Sequence, residues 1–378
     1  MASVRKRTWL TSNGEPRERW VVAYQHKNRQ HLKTFATKRE AVAWRAQMQV
    51  EVKRGTHTPS SQSPTVAQAG QQWLDQATVD GLERATIEVY RQHYRHHIAP
   101  YLGPVKLAAL EPSTIQDFSN RLVRDGRSAA LTKKIVSSLG SIIAGAKERG
   151  QVAQNVVAQR SRRRERRLEQ RHDKRLEVGV DIPTKDDLRA ILNTAKGRWR
   201  PLLVTAVFTG LRASELRGLT WKDVNLDKAV LIVRQRADRF QAIGSPKSRT
   251  SQREVPLAPM VVNTLKEWKL ACPKGELGLV FPDRKGAVDY HSALHRGLGA
   301  ALVKAGLGED PRHPKYGLHS LRHAAASLWI EQGLSPKRVQ ALMGHSTIGM
   351  TFDVYGHLFP SAEDDAEAMA QVQARLVG

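Results

Sequence analysis

The spacing of apolar positions changes along this chain, and the changes divide it. Near the start, Trp20, Val22 and Tyr24 alternate with Val21 and Ala23, a period of two that predicts a half-buried strand. Residues 27–30 predict a turn into a second strand around His31–Phe35. Thr37 and Glu40 then fit a capping box, with Thr37 accepting from a first-turn amide and Glu40 reaching back. Behind it, Ala41, Trp44 and Met48 fall on one helical face. Residues 1–58 are therefore expected to form a small β-plus-helix domain with Trp20, Tyr24, Phe35 and Trp44 in its core.

The Ser/Pro/Thr-rich stretch at 55–64 has the composition of a linker. Beyond it, residues 64–158 carry helical periodicity only. Thr65–Gln68 and Ser113–Gln116 predict two more capping boxes, and Ile87, Tyr90, Tyr94 and Ile98 form one apolar stripe. Leu131, Ile135, Leu139 and Ile142 form another, stopped by Gly150. Arg91, His93, Arg95, His96 and His97 crowd the remaining faces, and Arg91 and Arg95 are expected to meet phosphate. His96-His97 could suggest a metal, but neighbouring helical residues point apart, which favours a solvated basic face.

Residues 159–177 hold an Arg-rich linker. Within it Glu165, Glu169 and Asp173 recur every fourth residue among the basic side chains, so it reads either as an ion-paired helix or as a phosphate-tracking connector. The last part, 178–378, mixes elements. Thr184–Asp187 opens a helix, and PLLVTAVFTG (201–210) reads as a buried helix ending at Gly210. LIVRQRAD and REVPL read as strands joined by a polar tip at 245–252. Ser320 to Gly333 is expected to be helical. Ser335-Pro336 restarts a helix that Gly344 closes, and a short helix runs toward Tyr355. After Pro360, Ser361 and Asp364 suit a further capping box on an amphipathic tail.

Charge sharpens this picture. The 378 residues carry 61 Lys+Arg against 36 Asp+Glu, a formal net charge of +25, which favours a nucleic-acid partner over mere solubility. With 40% hydrophobic residues the chain can build cores, so wholesale disorder is not expected. No apolar run approaches the roughly 18 residues a membrane helix needs. The basic start lacks the apolar stretch of a secretory signal. The single cysteine, Cys272, rules out a disulfide scaffold and points to a reducing compartment, the cytoplasm.

Candidate chemistry gathers in the last part: TGLRASEL (209–216), SPKSRT (245–250), LHSLRH (318–323), and LMGHS followed by Tyr355. Each has an ordinary structural explanation. An Arg after a Gly caps or salt-bridges, a turn lysine is solvated, H-x-x-R arises readily among fourteen histidines, and a tyrosine packs. Their order and spacing together are far more specific.

That ordered set resembles the tyrosine recombinase (phage integrase) family over essentially the whole chain. The resemblance implies a mainly α, multidomain protein: an arm-binding domain at the start, an all-α core-binding (SAM-like) domain, and an α+β catalytic domain. It implies catalytic roles for Arg212, Lys247, His319, Arg322, His345 and the nucleophile Tyr355, with Glu215 supporting Arg212. Arg17, Arg19, Lys27, Arg29 and Lys33 would ring the exposed face of the first domain's sheet and meet accessory DNA. The partners implied are double-stranded DNA at core and arm-type sites, a homotetramer on that DNA, and DNA-bending and directionality proteins, with no membrane. The tail after Tyr355 would dock on a neighbouring protomer, or fold back on its own domain.

The residue types suit the chemistry. A tyrosine hydroxyl has a pKa near 10 and needs a base before it attacks phosphorus. Charge developing on the nonbridging oxygens suits two fork-shaped guanidiniums, here Arg212 and Arg322. His319 would accept the tyrosine proton, His345 would donate to the phosphate, and Lys247 would protonate the departing 5′ oxygen. A 3′-phosphotyrosine stores the bond energy, so neither metal, ATP nor another cofactor is expected. Rival readings are a type IB topoisomerase-like activity, a chromosome-dimer resolvase, and a catalytically silent DNA-binding regulator.

Overall fold

A computed structural model describes the chain except for Met1, Gly14, Lys27, Thr56, Ser60, Gln62, residues 159–175, 247–248 and 360–361, and Gly378, together with the side chains at 249, 362–368 and 371. The chain gathers into two compact units, 1–169 and 170–378. Among the described residues no helix is long and apolar enough to cross a membrane.

The first unit begins with an antiparallel sheet of β1 (Ser3–Leu10), β2 (Pro16–His26) and β3 (Arg29–Phe35), in that order. The turn before β3 holds Asn28 at φ +60°, a left-handed conformation that Asn tolerates better than most residues. β1 was not legible in the sequence. Its basic residues show no apolar alternation because it is an edge strand, and seven of its eight residues are exposed. Helix α1 (Lys38–Lys53) starts on the expected Thr37–Glu40 box and packs across the sheet. It buries Ala41 and Met48 with Val22 and Tyr24.

The stretch at 55–64 is more than a tether. His57 is buried, its Nδ1 pairing with Glu51 Oε2 at 3.1 Å and its Nε2 with Tyr24 Oη at 3.0 Å. Thr58 Oγ1 accepts from the Ala153 amide, and Ser63 Oγ from that of Ala108.

After α1, the helices among the described residues of this unit are α2 (Val66–Val79), α3 (Arg84–Gln92), α4 (Ala99–Leu102), α5 (Pro112–Arg124) and α6 (Ala129–Glu148). α3 and α4 join through a π-helical turn, His93–Ile98. The Thr65–Gln68 box caps α2 as expected. Ser113 does not cap α5. Pro112, with its fixed φ and no amide proton, occupies the first turn, so the cap falls on Glu111 and Ser113 lies inside the helix. Both predicted stripes meet in one core, where Ile98, Ile115, Ile135, Leu139 and Ile142 lose all contact with solvent. His93 belongs to that core and not to the basic face: it is buried, with Nδ1 2.8 Å from Ser138 Oγ.

The second unit opens with α7 (Lys185–Thr194), whose Thr184–Asp187 capping box forms as expected. α8 (Trp199–Thr209) is apolar around most of its circumference, as a helix packed on several sides must be. It lies against α10 (Pro259–Ala271) and α12 (Leu318–Glu331), with Leu203 and Val204 wholly buried. α9 (Ala213–Gly218) follows a sharp turn after α8. The predicted hairpin is interrupted. β4 (Val224–Asn225), β5 (Val230–Val233) and β8 (Arg253–Pro256) make one antiparallel sheet in the order β4-β5-β8. LIVRQRAD breaks after Val233, and Arg236–Ala237 (β6) pairs separately with Ile243–Gly244 (β7). The intervening tip is only partly polar surface, since Ser251 is buried. α11 (His291–Lys304), α13 (Pro336–Met343), α14 (Ile348–Tyr355) and α15 (Ala362–Val377) complete the unit. Ser335 caps α13 and Gly344 ends it, as the spacing predicts. The Arg-rich run and the Ser361–Asp364 box lie outside the described residues.

Candidate active site

Five segments of the second unit converge. α8 ends at Gly210, held at φ +58°, where a Cβ would stand 3.1 Å from Trp329 and 3.3 Å from both Ala325 and Met343. This turn delivers Arg212 to the N-cap of α9, and Glu215 at its third position reaches back. The Arg212 amide donates to Glu215 Oε2 at 2.9 Å, Nη1 donates to Oε1 at 2.7 Å, and Nη2 donates to the Gly344 carbonyl at 3.1 Å.

α12 supplies Arg322, only 2% exposed. Its Nη1 donates to the Gly210 carbonyl at 2.6 Å and its Nη2 to that of Met343. These carbonyls end α8 and α13, the negative poles of two helices, which is where a buried cation is best tolerated. Arg212 and Arg322 therefore donate to consecutive carbonyls, 344 and 343. Two guanidiniums 110 positions apart in the chain are stitched to one loop.

A third guanidinium joins them. Arg253, at an inward position of β8, grips both Glu215 oxygens, Nη1 to Oε1 at 3.1 Å and Nη2 to Oε2 at 2.9 Å. Its Nε donates to the Leu342 carbonyl. Burial alone would raise the Glu215 carboxyl. The hydrogen bonds and charge of Arg253, then the charges of Arg212 and Arg322, more than reverse that and hold it at about 2.

Three guanidiniums around one carboxylate leave the cluster positive, and its histidines show it. Burial, then Arg322 and Arg212, lower the pKa of His319 and take His345 down to about 4. His323 is also brought to about 4, by burial and then by His319 and Arg322. These rings are neutral at pH 7. Burial similarly draws Arg322 down to about 9, which still leaves it charged.

His345 is 8% exposed, its Nδ1 3.0 Å from Thr351 Oγ1, and its ring stacks at 6.3 Å between centroids on that of Tyr355. Tyr355 itself is 1% exposed, and burial raises the pKa of its hydroxyl against the pull of Arg322 and Arg212. The hydroxyl lies 2.7 Å from His323 Nδ1. Beside the cluster is a cleft of about 410 Å³ lined by Arg212, Ser214, Arg236, Pro246, Ser346 and Met350 among others. Arg212 is the member of the cluster that is one-third exposed there.

Of the six residues singled out in the sequence, Arg212, His319, Arg322, His345 and Tyr355 come together. Lys247 lies outside the described residues. Sequence reasoning missed Arg253 and His323. His323 had a usable signal, since it stands one helical turn from His319 on the same face. Arg253 had only its inward place in the strand alternation. No group of three or more His, Cys, Asp or Glu suited to a metal ion occurs among the described residues.

The residues expected to contact DNA from the first unit are divided by the sheet register. Arg17 and Arg19, both exposed, pair with Trp9 and Arg7 on one face. Lys33 pairs with Val22 on the opposite face, with Nζ 4.7 Å from the centre of the Trp44 ring of α1. It does not share the side of Arg17 and Arg19, because a strand position opposite Val22 must share Val22's side. Arg29 pairs with His26 on that same side. Lys27 lies outside the described residues. Arg91 is tied to Glu88 at 2.6 Å, whereas Arg95 is exposed.

Residues 183–361 match the model of the phage integrase family, and residues 65–123 match that of the phage integrase N-terminal SAM-like domain. A tyrosine recombinase XerC-like protein of Caldanaerobacter subterraneus is 25% identical over 356 residues, covering 87% of this chain and 88% of its own. The fold is shared with the Tn1549 transposon integrase in complex with a circular intermediate DNA, at a TM-score of 0.66 and 21% identity, over 81% of this chain and 100% of that one. It is also shared with a lambda integrase tetramer bound to a Holliday junction, at a TM-score of 0.57 and 20% identity, over 90% and 95% of the two chains. The chain belongs to the phage integrase family of tyrosine recombinases, a class of site-specific DNA recombinases.

Proposed function

We propose that this protein is an integrase that cuts and rejoins DNA strands through a 3′-phosphotyrosine, moving a mobile element such as a prophage into or out of a larger molecule. The observation that carries this reading is the stitching of Arg212 and Arg322 to neighbouring carbonyls beside the Tyr355 ring. Two fixed cations in a partly dry site stabilise the charge that develops on a phosphorane far more than they would in water. Glu215 and Arg253 set the Arg212 fork; the carboxylate is spent on holding guanidiniums and is no candidate for a base. His345, with Nδ1 engaged by Thr351, would offer Nε2 to the phosphate. Lys247 would protonate the 5′ oxygen. Resealing reverses the attack with a different 5′ hydroxyl.

The rest of the chain would grip the DNA. Residues 1–58 would contact arm-type sites through Arg17 and Arg19, residues 64–158 the core site through faces such as that of Arg95, and 178–378 the scissile phosphate, with 159–177 as connector. The solved neighbours, bound to a transposon circular intermediate and to a Holliday junction, support duplex DNA as substrate and a tetramer as the working form. Met369, Val372 and Leu376 on α15 are 64%, 48% and 78% exposed, an uncovered apolar stripe that supports docking on a neighbouring protomer.

The test is covalent trapping on a nicked attachment-site duplex. Tyr355→Phe is expected to abolish the protein–DNA adduct while leaving DNA affinity intact. An adduct that persists in this variant would remove Tyr355 as nucleophile.

A further inference from the structure

The residue on the Tyr355 hydroxyl is not among the six that the family resemblance points to. α12 carries His319 and His323 on one face, a turn apart, with ring centroids 4.4 Å apart and planes at 77°. Of the two, His323 reaches the nucleophile: its Nδ1 lies 2.7 Å from the Tyr355 oxygen. Building on the recombinase reading above, we infer that His323 is a catalytic residue, the base that takes the Tyr355 proton as the phenolic oxygen attacks phosphorus.

The surroundings keep the His323 ring neutral. His319 and Arg322 on its own helix and His345 beyond the end of α13 all work against a positive charge on His323. Only Asp181 favours one, and burial outweighs it, so the ring is neutral near pH 7. A neutral ring can accept at Nδ1 with its proton on Nε2, and the phenol is then the donor. In this resting pair a raised phenol faces a weakened base, so no proton moves and the nucleophile stays inert.

A phosphodiester held by Arg212 and Arg322 changes that balance. Its negative charge arrives beside the guanidiniums that depress His323, and a nearby anion favours the protonated ring. Base strength therefore comes with the substrate. In the step itself the O–H bond of Tyr355 breaks and its proton passes to Nδ1. The phenolic oxygen bonds to phosphorus while the bond to the 5′ oxygen breaks, and that oxygen takes a proton from a general acid, for which Lys247 is proposed. Resealing returns the proton from His323 to Tyr355, so nothing is consumed.

The experiment uses the full chain and a nicked attachment-site duplex, with single-turnover adduct formation and DNA affinity measured separately. His323→Gln keeps a polar side chain of similar reach but cannot take up a proton. We expect it to slow the adduct step by 100-fold or more, the range of general-base catalysis, with affinity within twofold and an unchanged thermal midpoint. Added imidazole should restore the rate of His323→Ala at least tenfold and leave His319→Ala unmoved. A rate for His323→Gln within fivefold of wild type would overturn the inference. So would rescue confined to His319→Ala, or a loss in His323→Ala that imidazole does not restore, since that marks a prop and not a base. Failure of the wild type to form any adduct would instead reject the recombinase reading itself.

Discussion

Replacing Glu215 by glutamine removes one negative charge and little else, so it isolates what that charge does for the fold. The carboxylate is 2% exposed and holds a value of about 2 against an ordinary 4.5. At about 1.4 kcal/mol per pH unit, its ionised form is worth about 3 kcal/mol of folding free energy at neutral pH. Breaking a buried ion pair by removing one partner costs a similar amount, because Arg253 and Arg322 remain buried without their counter-charge. The folded-state value lies below the unfolded one, so the stabilisation is complete above about pH 5 and fades as pH falls toward 2. Glu215→Gln should therefore be less stable than wild type by about 3 kcal/mol at pH 7, and the gap should narrow below pH 4.5 as the unfolded wild type takes up its proton. Urea denaturation read by hydrogen exchange on α9 and α12 peptides follows this unit separately from the first. A gap under 1 kcal/mol at pH 7, or one that does not change between pH 7 and pH 3.5, would show that the charge is not what binds these segments together.

Further expectations concern the other parts of the molecule. Gly344→Ala places a Cβ at φ +62°, 3.0 Å from Arg253 Nη1. It should cost about 1–2 kcal/mol from backbone strain, seen in the same urea experiment, and also slow adduct formation by disturbing the carbonyl that Arg212 grips. Arg17→Gln and Arg19→Gln should each weaken binding to arm-type DNA without affecting a core-only duplex. Each should lower the slope of log affinity against log salt by about 0.9 if it meets a phosphate. His57→Phe removes both partners of Tyr24 Oη and Glu51 Oε2 supplied by that ring, and should destabilise the first unit by about 1–3 kcal/mol in a thermal melt.

Much of the architecture was legible because it is written in short-range terms. Thr37, Thr65 and Thr184 cap their helices because a hydroxyl three residues from an amide finds it whatever the rest of the chain does. Arg212 and Glu215 are paired by the same three-residue spacing, and Gly210 and Gly344 stop helices through their own backbone freedom. Ser113 failed for an equally local reason, the proline beside it. β1 was hidden because an exposed edge strand has no apolar face to alternate. The charge network and the tyrosine's partner were of another kind. Arg253 meets Glu215 from 38 residues away, and its alternation with Val255 in QREVPL (252–257) says nothing of that partner until β8 finds β5. His319 and His323 are equivalent on a helical wheel. Which of them touches the phenol depends on where α14 crosses α12, a matter of packing between elements that contact order places far apart. Likewise the sheet register, which pairs Lys33 with Val22, sends that lysine over Trp44 and away from the side of Arg17 and Arg19. Local hydrogen bonds and periodicity thus determined where the elements begin and end. Only the long-range burial of charge, satisfied in one arrangement of those elements, decided which side chains share a site.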